Sequence, residues 1–219
     1  MNLLITGAPG AGKGTMSQRI VEHYHIPHIS SGQMFRDAMA SDTPVGNIAK
    51  IYIDQGLLVP DQVTIDMVME RLTRPDCSQG FLLDGFPRTL IQAKAFDEVS
   101  HEMNRALDGV INIVIDFDVL VHRITGRRVC STCGQIYHIT NMPPKVEGIC
   151  DLDQGALIQR SDDTQEQLEI RMREYHHLTE PVLKFYQKQG LVYNINGNQS
   201  VEAVVQDIFN VMEAIDGQH

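Results

Sequence analysis

A glycine-rich segment near the amino terminus offers the first chemistry. Residues 7–15 read Gly-Ala-Pro-Gly-Ala-Gly-Lys-Gly-Thr and directly follow an apolar run, Leu3 to Ile5. Glycines let such a turn point successive backbone N–H groups inward, the following helix adds the positive end of its dipole, and Lys13 adds a full charge. The strict phosphate-loop motif has Ser or Thr after the lysine, whereas this chain has Gly14 and then Thr15. Such a turn can serve packing alone, but the lysine at this spacing predicts a polyphosphate-binding loop.

A second polar segment follows another apolar run. Residues 84–89 read Asp-Gly-Phe-Pro-Arg-Thr and come directly after Phe81 to Leu83. Ligands bind at the carboxyl ends of strands in open parallel sheets, where Asp84 could organise the waters of a phosphate-bound Mg²⁺ and Arg88 could clamp a second phosphate. Two phosphate-handling sites imply transfer between two substrates. Taken alone, the same residues could form no more than a turn.

The cysteines form a third pattern. Residues 130–133 read Cys-Ser-Thr-Cys, and after sixteen further residues positions 150–153 read Cys-Asp-Leu-Asp. Three thiolates and one carboxylate can hold zinc tetrahedrally. Cys150 and Asp153 have the same spacing as Cys130 and Cys133, whereas Asp151 and His138 do not match that spacing. A disulfide between two of these cysteines is the alternative, but it would leave one thiol unexplained.

Composition limits the class of protein. The chain has 219 residues and a net charge of −10, which argues against a general nucleic-acid surface. No apolar run approaches the roughly 20 residues of a membrane span, and the absence of a cationic leader before the first apolar run predicts a cytoplasmic protein. An anionic substrate would therefore be held by local arginines. The arginines around the cysteine-rich segment are Arg123, Arg127, Arg128, Arg160, Arg171 and Arg173.

Short apolar runs alternate with helical periodicity along the chain, which predicts an α/β fold with a parallel sheet between helices. The first helix is expected over residues 13–23, and a helical insertion over residues 31–72. The expected strands are residues 2–6, 80–83, 110–115 and 191–195.

A long helix is predicted after Asp163, and Pro181 is expected to bend it. Its apolar residues recur at spacings of three and four, so that one face points into the core. These residues are Leu168, Met172, Tyr175, Leu178, Val182 and Phe185.

Taken together and in this order, the motifs resemble bacterial adenylate kinases of the long-lid type, and the resemblance covers essentially the whole chain. The resemblance implies a P-loop parallel sheet flanked by helices, with a helical AMP-binding insertion and a zinc-bearing lid. The matching pieces are Gly7–Thr15, His28–Gly32, Met34–Arg36, Gly56–Asp61, Asp84–Thr89, Gln92, Thr125–Arg128, Gln159–Asp163 and Arg171.

What the resemblance implies for activity is reversible, Mg²⁺-dependent phosphoryl transfer between ATP and AMP to give two ADP, by a monomer that needs neither nucleic acid nor a membrane. Transfer would be in line within a closed site that excludes water. The core would comprise residues 1–29, 60–126 and 164–219. The AMP-binding insertion would span residues 30–59, and the lid residues 127–163.

Site residues follow from the same resemblance, position by position. Residues expected to act in catalysis are Lys13, Asp84, Arg88, Arg123, Arg160 and Arg171. Residues expected at ATP are Gly10, Ala11, Gly12, Lys13, Gly14, Thr15, Arg127, Ile136, Tyr137 and Gln199. Residues expected at AMP are Ser31, Arg36, Leu57, Leu58, Val59, Gly85, Phe86, Pro87, Arg88, Gln92, Arg160 and Arg171. The expected ligands of one structural zinc are Cys130, Cys133, Cys150 and Asp153.

Three positions depart from the family pattern. Ser31 replaces a threonine but keeps the hydroxyl, Gln33 replaces an aspartate, and Ala8 replaces a bulkier apolar residue in the phosphate loop.

Two other functions would use the same phosphate-binding residues. One is a kinase for UMP, CMP or GMP, against which Gln92 and Ser31 favour adenine. The other is a nucleotide sensor or hydrolytic switch, against which the paired arginine positions and the lid argue.

Overall fold

The computed structural model describes residues 1–217 and shows a parallel sheet of five strands with helices on both faces. The sheet order is β2-β3-β1-β4-β8, with every pairing parallel. Residues 218–219, the end of the predicted core range, lie outside the described residues. The strands are β1 (Asn2–Gly7), β2 (His28–Ser30), β3 (Phe81–Asp84), β4 (Gly109–Val114), β5 (Arg127–Cys130), β6 (Ile136–His138), β7 (Leu157–Ile158) and β8 (Val192–Asn196).

Helices connect the strands of the large sheet and cover it. Helix α1 begins directly after the glycine-rich loop. Helices α2 to α4 occupy most of the helical insertion predicted over residues 31–72. The helices are α1 (Lys13–Tyr24), α2 (Ser31–Ala40), α3 (Pro44–Ile53), α4 (Asp61–Leu72), α5 (Leu90–Glu102), α6 (Phe117–Thr125), α7 (Gln165–Glu174), α8 (Glu180–Gln187) and α9 (Val201–Asp216). A short 3₁₀ helix spans Pro75–Gln79, and a π-helical segment spans Tyr175–Thr179.

Strand β1 divides the core into two layers because its side chains alternate between the faces of the sheet. Leu3 and Ile5 pack with Ile20 of α1 on one face. Leu4 packs on the other face with Phe81, Phe96 and further apolar side chains. These residues are all at most 1% exposed. The central strands are therefore apolar on both faces, as buried parallel strands require.

The register of the central strands brings the polar ends of the sheet together. Ile5 of β1 pairs with Asp84 at the end of β3, and Gly7 pairs with Ile113 near the end of β4. The loop that follows β1 and the segment that follows β3 therefore leave the same edge of the sheet as neighbours. This edge is the predicted ligand-binding edge.

A second, three-stranded antiparallel sheet of order β6-β5-β7 lies within residues 127–158. Its strands have only two to four residues; Cys130 ends β5, and the segments between the strands carry Cys133 and Cys150. Across the described part of the chain, no helix combines the length and the apolarity needed to cross a bilayer.

Two features differ from the sequence-based expectation. Strand β2 is absent from that expectation, because three residues are too few to show a period. The long helix is interrupted by the π-helical segment, and Pro181 lies in the first turn of α8, where proline is tolerated; a bend at Pro181 stays a prediction. Tyr186 is fully buried, while Phe185, predicted to face the core, is only half-buried.

The fully buried Tyr186 gives a first prediction. Its hydroxyl finds no hydrogen-bond partner among the described residues, and burial raises the pKa of this phenol. Tyr186→Phe removes a desolvated polar atom and keeps the ring, so we expect the free energy of unfolding to rise by about 1 kcal/mol. Thermal unfolding should show a midpoint about 2–4 °C higher. A loss of stability of similar size would mean that a buried water bonds this hydroxyl.

Candidate active site

The glycine-rich loop has the conformation that its sequence predicts. Gly10 and Gly12 have φ angles of 85° and 90°, a region that residues with side chains rarely adopt. A side chain at Gly10 would also meet Ile124 at 2.8 Å. Helix α1 begins at Lys13, so its free N–H groups and its dipole point toward the loop. Lys13 Nζ donates to the carbonyl oxygens of Gly7 at 2.8 Å and Ala8 at 3.0 Å, which closes the loop around the ammonium.

The surroundings of Lys13 disfavour its charge. Burial lowers the pKa of Lys13 to about 8; Asp84 opposes that shift, while Arg88, Arg171 and Arg127 add to it. A buried ammonium that lacks a sufficient counter-charge is ready to receive an anion. The loop therefore combines donors with an unneutralised cation.

Asp84 lies at the end of β3, opposite Lys13. Its Oδ2 lies 3.3 Å from Nε2 of His28, the first residue of β2. Burial opposes ionisation of this carboxyl, but the hydrogen bond from His28 and the charges of Lys13 and Arg88 outweigh it and lower the pKa of Asp84. The edge of the sheet thus holds an ionised carboxylate next to the phosphate loop.

A cleft of about 150 Å³ opens between this edge and helices α2 to α4. Two side chains that line the cleft bond the same backbone carbonyl. Ser31 Oγ and Arg88 Nε each donate to the carbonyl oxygen of Gly85 at 2.7 Å. The predicted AMP-site residues that line the cleft are Ser31, Arg36, Leu57, Leu58, Val59, Gly85, Pro87, Arg88, Gln92 and Arg171. Phe86 is fully buried beneath them, next to a cis peptide bond to Pro87.

Arginines from three parts of the chain meet above the cleft. Arg127 of β5 forms an ion pair with the fully buried Asp163, its Nε lying 2.8 Å from Oδ2. Arg171 of α7 donates to Asp162 Oδ2 at 2.8 Å. Burial, together with the charges of Arg36 and Arg127, lowers the pKa of Arg160 to about 10.

These groups give the site a surplus of positive charge. The carboxylates that face the cations most closely are Asp84, Asp162 and Asp163. Burial and the charge of Arg171 lower the pKa of Arg88 to about 10, which reports the same surplus. Among the described residues, six cationic side chains act on one another here. They are Lys13, Arg36, Arg88, Arg127, Arg160 and Arg171.

The other predicted ATP residues surround the start of α1. Arg123 donates to the carbonyl oxygens of Gly197 at 2.9 Å and Ala11 at 3.5 Å. Ile136 of β6 covers Gly14, where a side chain would meet its Cδ1 at 3.2 Å. Gln199 is tied to Asp207 of α9 at 2.6 Å and does not line the cleft described above.

Tyr137, also predicted at ATP, points to the cysteines instead. Its hydroxyl lies 3.4 Å from Cys150 Sγ and accepts the N–H of Asp151 at 2.8 Å. The structure thus places Tyr137 against the cysteine cluster, and its contact with ATP stays a prediction.

The predicted zinc ligands do meet. The donor atoms of Cys130, Cys133, Cys150 and Asp153 all lie within 4.8 Å of one another. The Sγ atoms of Cys133 and Cys150 are 3.6 Å apart, and Cys130 Sγ is 3.2 Å from Asp153 Oδ1. A hydrogen bond from the N–H of Gly155, with further bonds from the thiols, lowers the pKa of Asp153 to about 2.

Sequence comparisons agree with this geometry. A profile of the family described as adenylate kinase matches residues 5–191. The adenylate kinase of Bacillus subtilis strain 168 is 53% identical over 212 residues, which cover 97% of this chain and 98% of that protein. The adenylate kinase of Carboxydothermus hydrogenoformans is 52% identical over 213 residues, which cover 97% of this chain and 100% of that protein. The adenylate kinase of Archaeoglobus fulgidus is 48% identical over 215 residues, which cover 98% of this chain and 99% of that protein. The chain belongs to the adenylate kinase family.

As an adenylate kinase, the protein transfers a phosphoryl group between ATP and AMP to give two ADP, with Mg²⁺ accompanying ATP. Such a reaction needs two phosphate sites, and the structure places the glycine-rich loop beside an arginine-lined cleft.

The departures from the family pattern have visible consequences in this adenylate kinase. Ser31 keeps its bond to the backbone of Gly85. Gln33 accepts from Arg36 Nε at 3.2 Å and Nη2 at 2.9 Å, and donates to Asp37 at 2.7 Å, so its amide bridges the two charges. Ala8 is buried in the loop, where nothing in the structure explains the smaller side chain.

No role is predicted for three residues that bond predicted site residues, although His28 and Asp61 lie in segments that match the family. Asp61 bonds Gln92, His28 bonds Asp84, and the hydroxyl of Thr179 donates to the carbonyl oxygen of Arg88 at 3.0 Å. Each bonds a predicted residue at least 31 positions away, so only the tertiary fold reveals the pairing.

The lowered pKa of Lys13 yields a second prediction. In the free enzyme at pH 8 about half of the Lys13 ammonium groups are deprotonated, since the pKa is about 8. Polyphosphate favours the charged form and raises this pKa, so ATP binding at pH 8 should take up roughly half a proton per chain. Calorimetry in two buffers of different ionisation enthalpy measures the uptake. It should fade at pH 6.5, where Lys13 is already charged, and disappear in Lys13→Met. Proton release at pH 8 would contradict the assignment.

Proposed function

We propose that this adenylate kinase binds the ATP phosphates on the loop of residues 7–15 and AMP in the cleft around Arg88, and transfers the phosphoryl group directly between them. The observation that supports this proposal is the surplus of buried positive charge that joins the two places. A site of this charge is satisfied by several phosphates at once. That the protein is a monomer and that it is located in the cytoplasm both stay predictions.

On the ATP side, the N–H groups from Gly10 to Thr15 hold the phosphate chain and Lys13 follows the transferred group. Lys13 is bound to the loop carbonyls of Gly7 and Ala8, and it exchanges these contacts for phosphate oxygens. Arg123 and Arg127 add charge from α6 and β5, and Ile136 covers the start of α1.

On the AMP side, Arg88 is the central phosphate ligand. Its Nε is fixed on the carbonyl oxygen of Gly85, which leaves the two Nη groups for a bidentate contact with phosphate. Arg36, Arg160 and Arg171 approach from the insertion, the lid and α7. Gln92, which is 2% exposed, lies at the end of the cleft where the base would sit.

The reaction that this arrangement supports is in-line transfer without a covalent intermediate. The arginines hold the donor and acceptor phosphates together although their charges repel, and they stabilise charge on the transferring group. Asp84 is ionised at the edge of the sheet and would hold the waters of Mg²⁺. Mg²⁺, when bound with ATP, would supply positive charge that neutralises the phosphate chain.

Two mobile parts would exclude water from this site. We assign the insertion to residues 30–59, the lid to residues 127–163, and the core to the remaining residues. The insertion reaches α7, where a side chain at Gly56 would meet Gln167 Oε1 at 2.5 Å. Because Arg127 and Arg160 belong to the lid and Arg36 to the insertion, closure over both nucleotides completes the site and prevents hydrolysis of ATP.

Zinc would act only on structure. Donor atoms bound to one ion at about 2.0–2.3 Å lie about 3.3–3.8 Å apart in a tetrahedron, close to the separations of 3.2 Å and 3.6 Å given above. Three thiolates and Asp153 fill four positions and leave none for substrate. The ion would therefore fix the turns between β5, β6 and β7.

Arg88→Ala tests the AMP site. The side chain lies in the cleft, so the fold should persist, while AMP-dependent ADP formation should fall about 10³-fold, or roughly 4 kcal/mol in transition-state stabilisation. Arg173→Ala is the matched control, because Arg173 is exposed on α7 beside Arg171. Rates with AMP, UMP, CMP and GMP are measured at fixed ATP. A variant within a few-fold of the parent, or equal parental rates with UMP, would refute the assignment.

Cys130→Ser and Cys150→Ser test the zinc site. Each should release the metal and lower the melting temperature, while activity at moderate temperature changes far less. Elemental analysis should find one zinc per chain in the parent and in Cys77→Ser, whose buried thiol lies outside the cluster. Metal-free parent protein, or a stable variant without activity, would show that the assignment is wrong.

A further inference from the structure

The side-chain amide of Gln92 is bonded at both ends. Its Nε2 donates to Asp61 Oδ1 at 2.8 Å, and its Oε1 accepts the backbone N–H of Arg88 at 2.7 Å. An amide has two N–H donors and two lone pairs on oxygen, so one of each remains. These are the groups with which a glutamine reads adenine.

Asp61 is the centre of a small network. It is the first residue of α4, and the same Oδ1 also accepts from the hydroxyl of Thr89 at 2.9 Å. Thr89 caps α5, where its Oγ1 accepts the N–H of Gln92 at 3.2 Å. Both Thr89 and Gln92 are at most 9% exposed. The network therefore ties the start of α4 to the start of α5.

The two partners of Gln92 allow only one orientation of its amide. An ionised carboxylate accepts hydrogen bonds and cannot donate, whereas a backbone N–H can only donate. Rotating the amide by half a turn would set Oε1 against the carboxylate of Asp61 and Nε2 against the N–H of Arg88. Both contacts would be repulsive in a buried place, where unpaired polar groups are costly.

Orientation matters for the choice between purines. Adenine carries a 6-amino group, which donates, whereas hypoxanthine and guanine carry a 6-oxygen, which accepts. Gln92 held in its present orientation can accept from a 6-amino group through Oε1. The same oxygen would repel a 6-oxygen, which only the rotated amide could meet with Nε2.

We propose that Asp61 is a positioning residue that sets the purine selectivity of the AMP site by fixing the orientation of the Gln92 amide. The proposal rests on the assignment of Gln92 to the base in the proposed function. Asp61 acts through Gln92 and makes no contact with the nucleotide itself.

Asp61→Asn tests this role. The asparagine side chain keeps the shape of the carboxylate and can still accept from Thr89, so AMP should retain its kcat/KM within a few-fold. The removal of the carboxylate lowers the cost of the rotated amide, so kcat/KM for IMP, which differs from AMP at the 6-position, should rise about tenfold. Merely structural damage would lower both values. Asp61→Ser, which suits the start of a helix, serves as a second variant if Asp61→Asn does not fold.

Two further variants make the result decisive. Asp66→Asn is the matched control, because it alters an equivalent bond from Gln62 Nε2 at 2.7 Å on the exposed side of α4 and should leave the AMP:IMP ratio unchanged. Gln92→Met should raise the KM for AMP and abolish the preference for AMP over IMP. In a Gln92→Met background, Asp61→Asn should then leave the AMP:IMP ratio unchanged.

The outcomes separate the two assignments. If Gln92→Met leaves the AMP:IMP ratio unchanged, Gln92 does not read the base and the proposed AMP site is wrong. If Gln92→Met abolishes selectivity while Asp61→Asn and Asp61→Ser both leave the ratio as in the parent, the positioning role of Asp61 is overturned and the AMP site stands.

Discussion

Unbalanced positive charge at the carboxyl edge of the sheet is the constraint on which the rest of the structure depends. Burial lowers the pKa of Lys13 to about 8 and that of Arg88 to about 10. The surroundings of these side chains therefore disfavour their positive charges. Asp84, Asp162 and Asp163 offset only part of the repulsion. A site with such a surplus favours polyanionic ligands, and the phosphates of ATP and AMP would supply the missing negative charge.

The sequence reveals the groups that act through the backbone or through charge. The turn of residues 7–15, the Asp84 segment and the cysteine pairs each carry their information in short spacings, and the structure brings their residues together. Strand β2 escapes prediction because its three residues depend on pairing with β3. Asp61 and His28 lie in segments that match the family, but their pairings with Gln92 and Asp84 escape prediction, because polar residues at the start of a helix or strand are common and gain meaning only from a distant neighbour.

The π-helical segment lies in a helical run whose apolar spacing leaves one position open. A spacing of three after Val182 predicts Phe185 in the core, whereas the buried residue is Tyr186, at a spacing of four. Both spacings fit one helical face, so tertiary packing decides between them. The same segment places Tyr175 and Thr179 along the cleft, and the hydroxyl of Thr179 holds the carbonyl oxygen of Arg88. The local irregularity thus holds the backbone of Arg88, the proposed phosphate ligand.

Polar contacts join the insertion to the core and hold the proposed base end of the cleft. Ser31 of the insertion and Arg88 of the core meet on the carbonyl oxygen of Gly85, and within the core Asp61 joins α4 to Gln92. Phosphate recognition depends on charge, which acts over several ångströms and tolerates small movements of the arginines. Base recognition depends on hydrogen bonds that weaken steeply with misalignment. The proposed base contact of Gln92 is accordingly held by short, directional bonds within the core, while Arg127 and Arg160, proposed to bind phosphate, can travel with the lid.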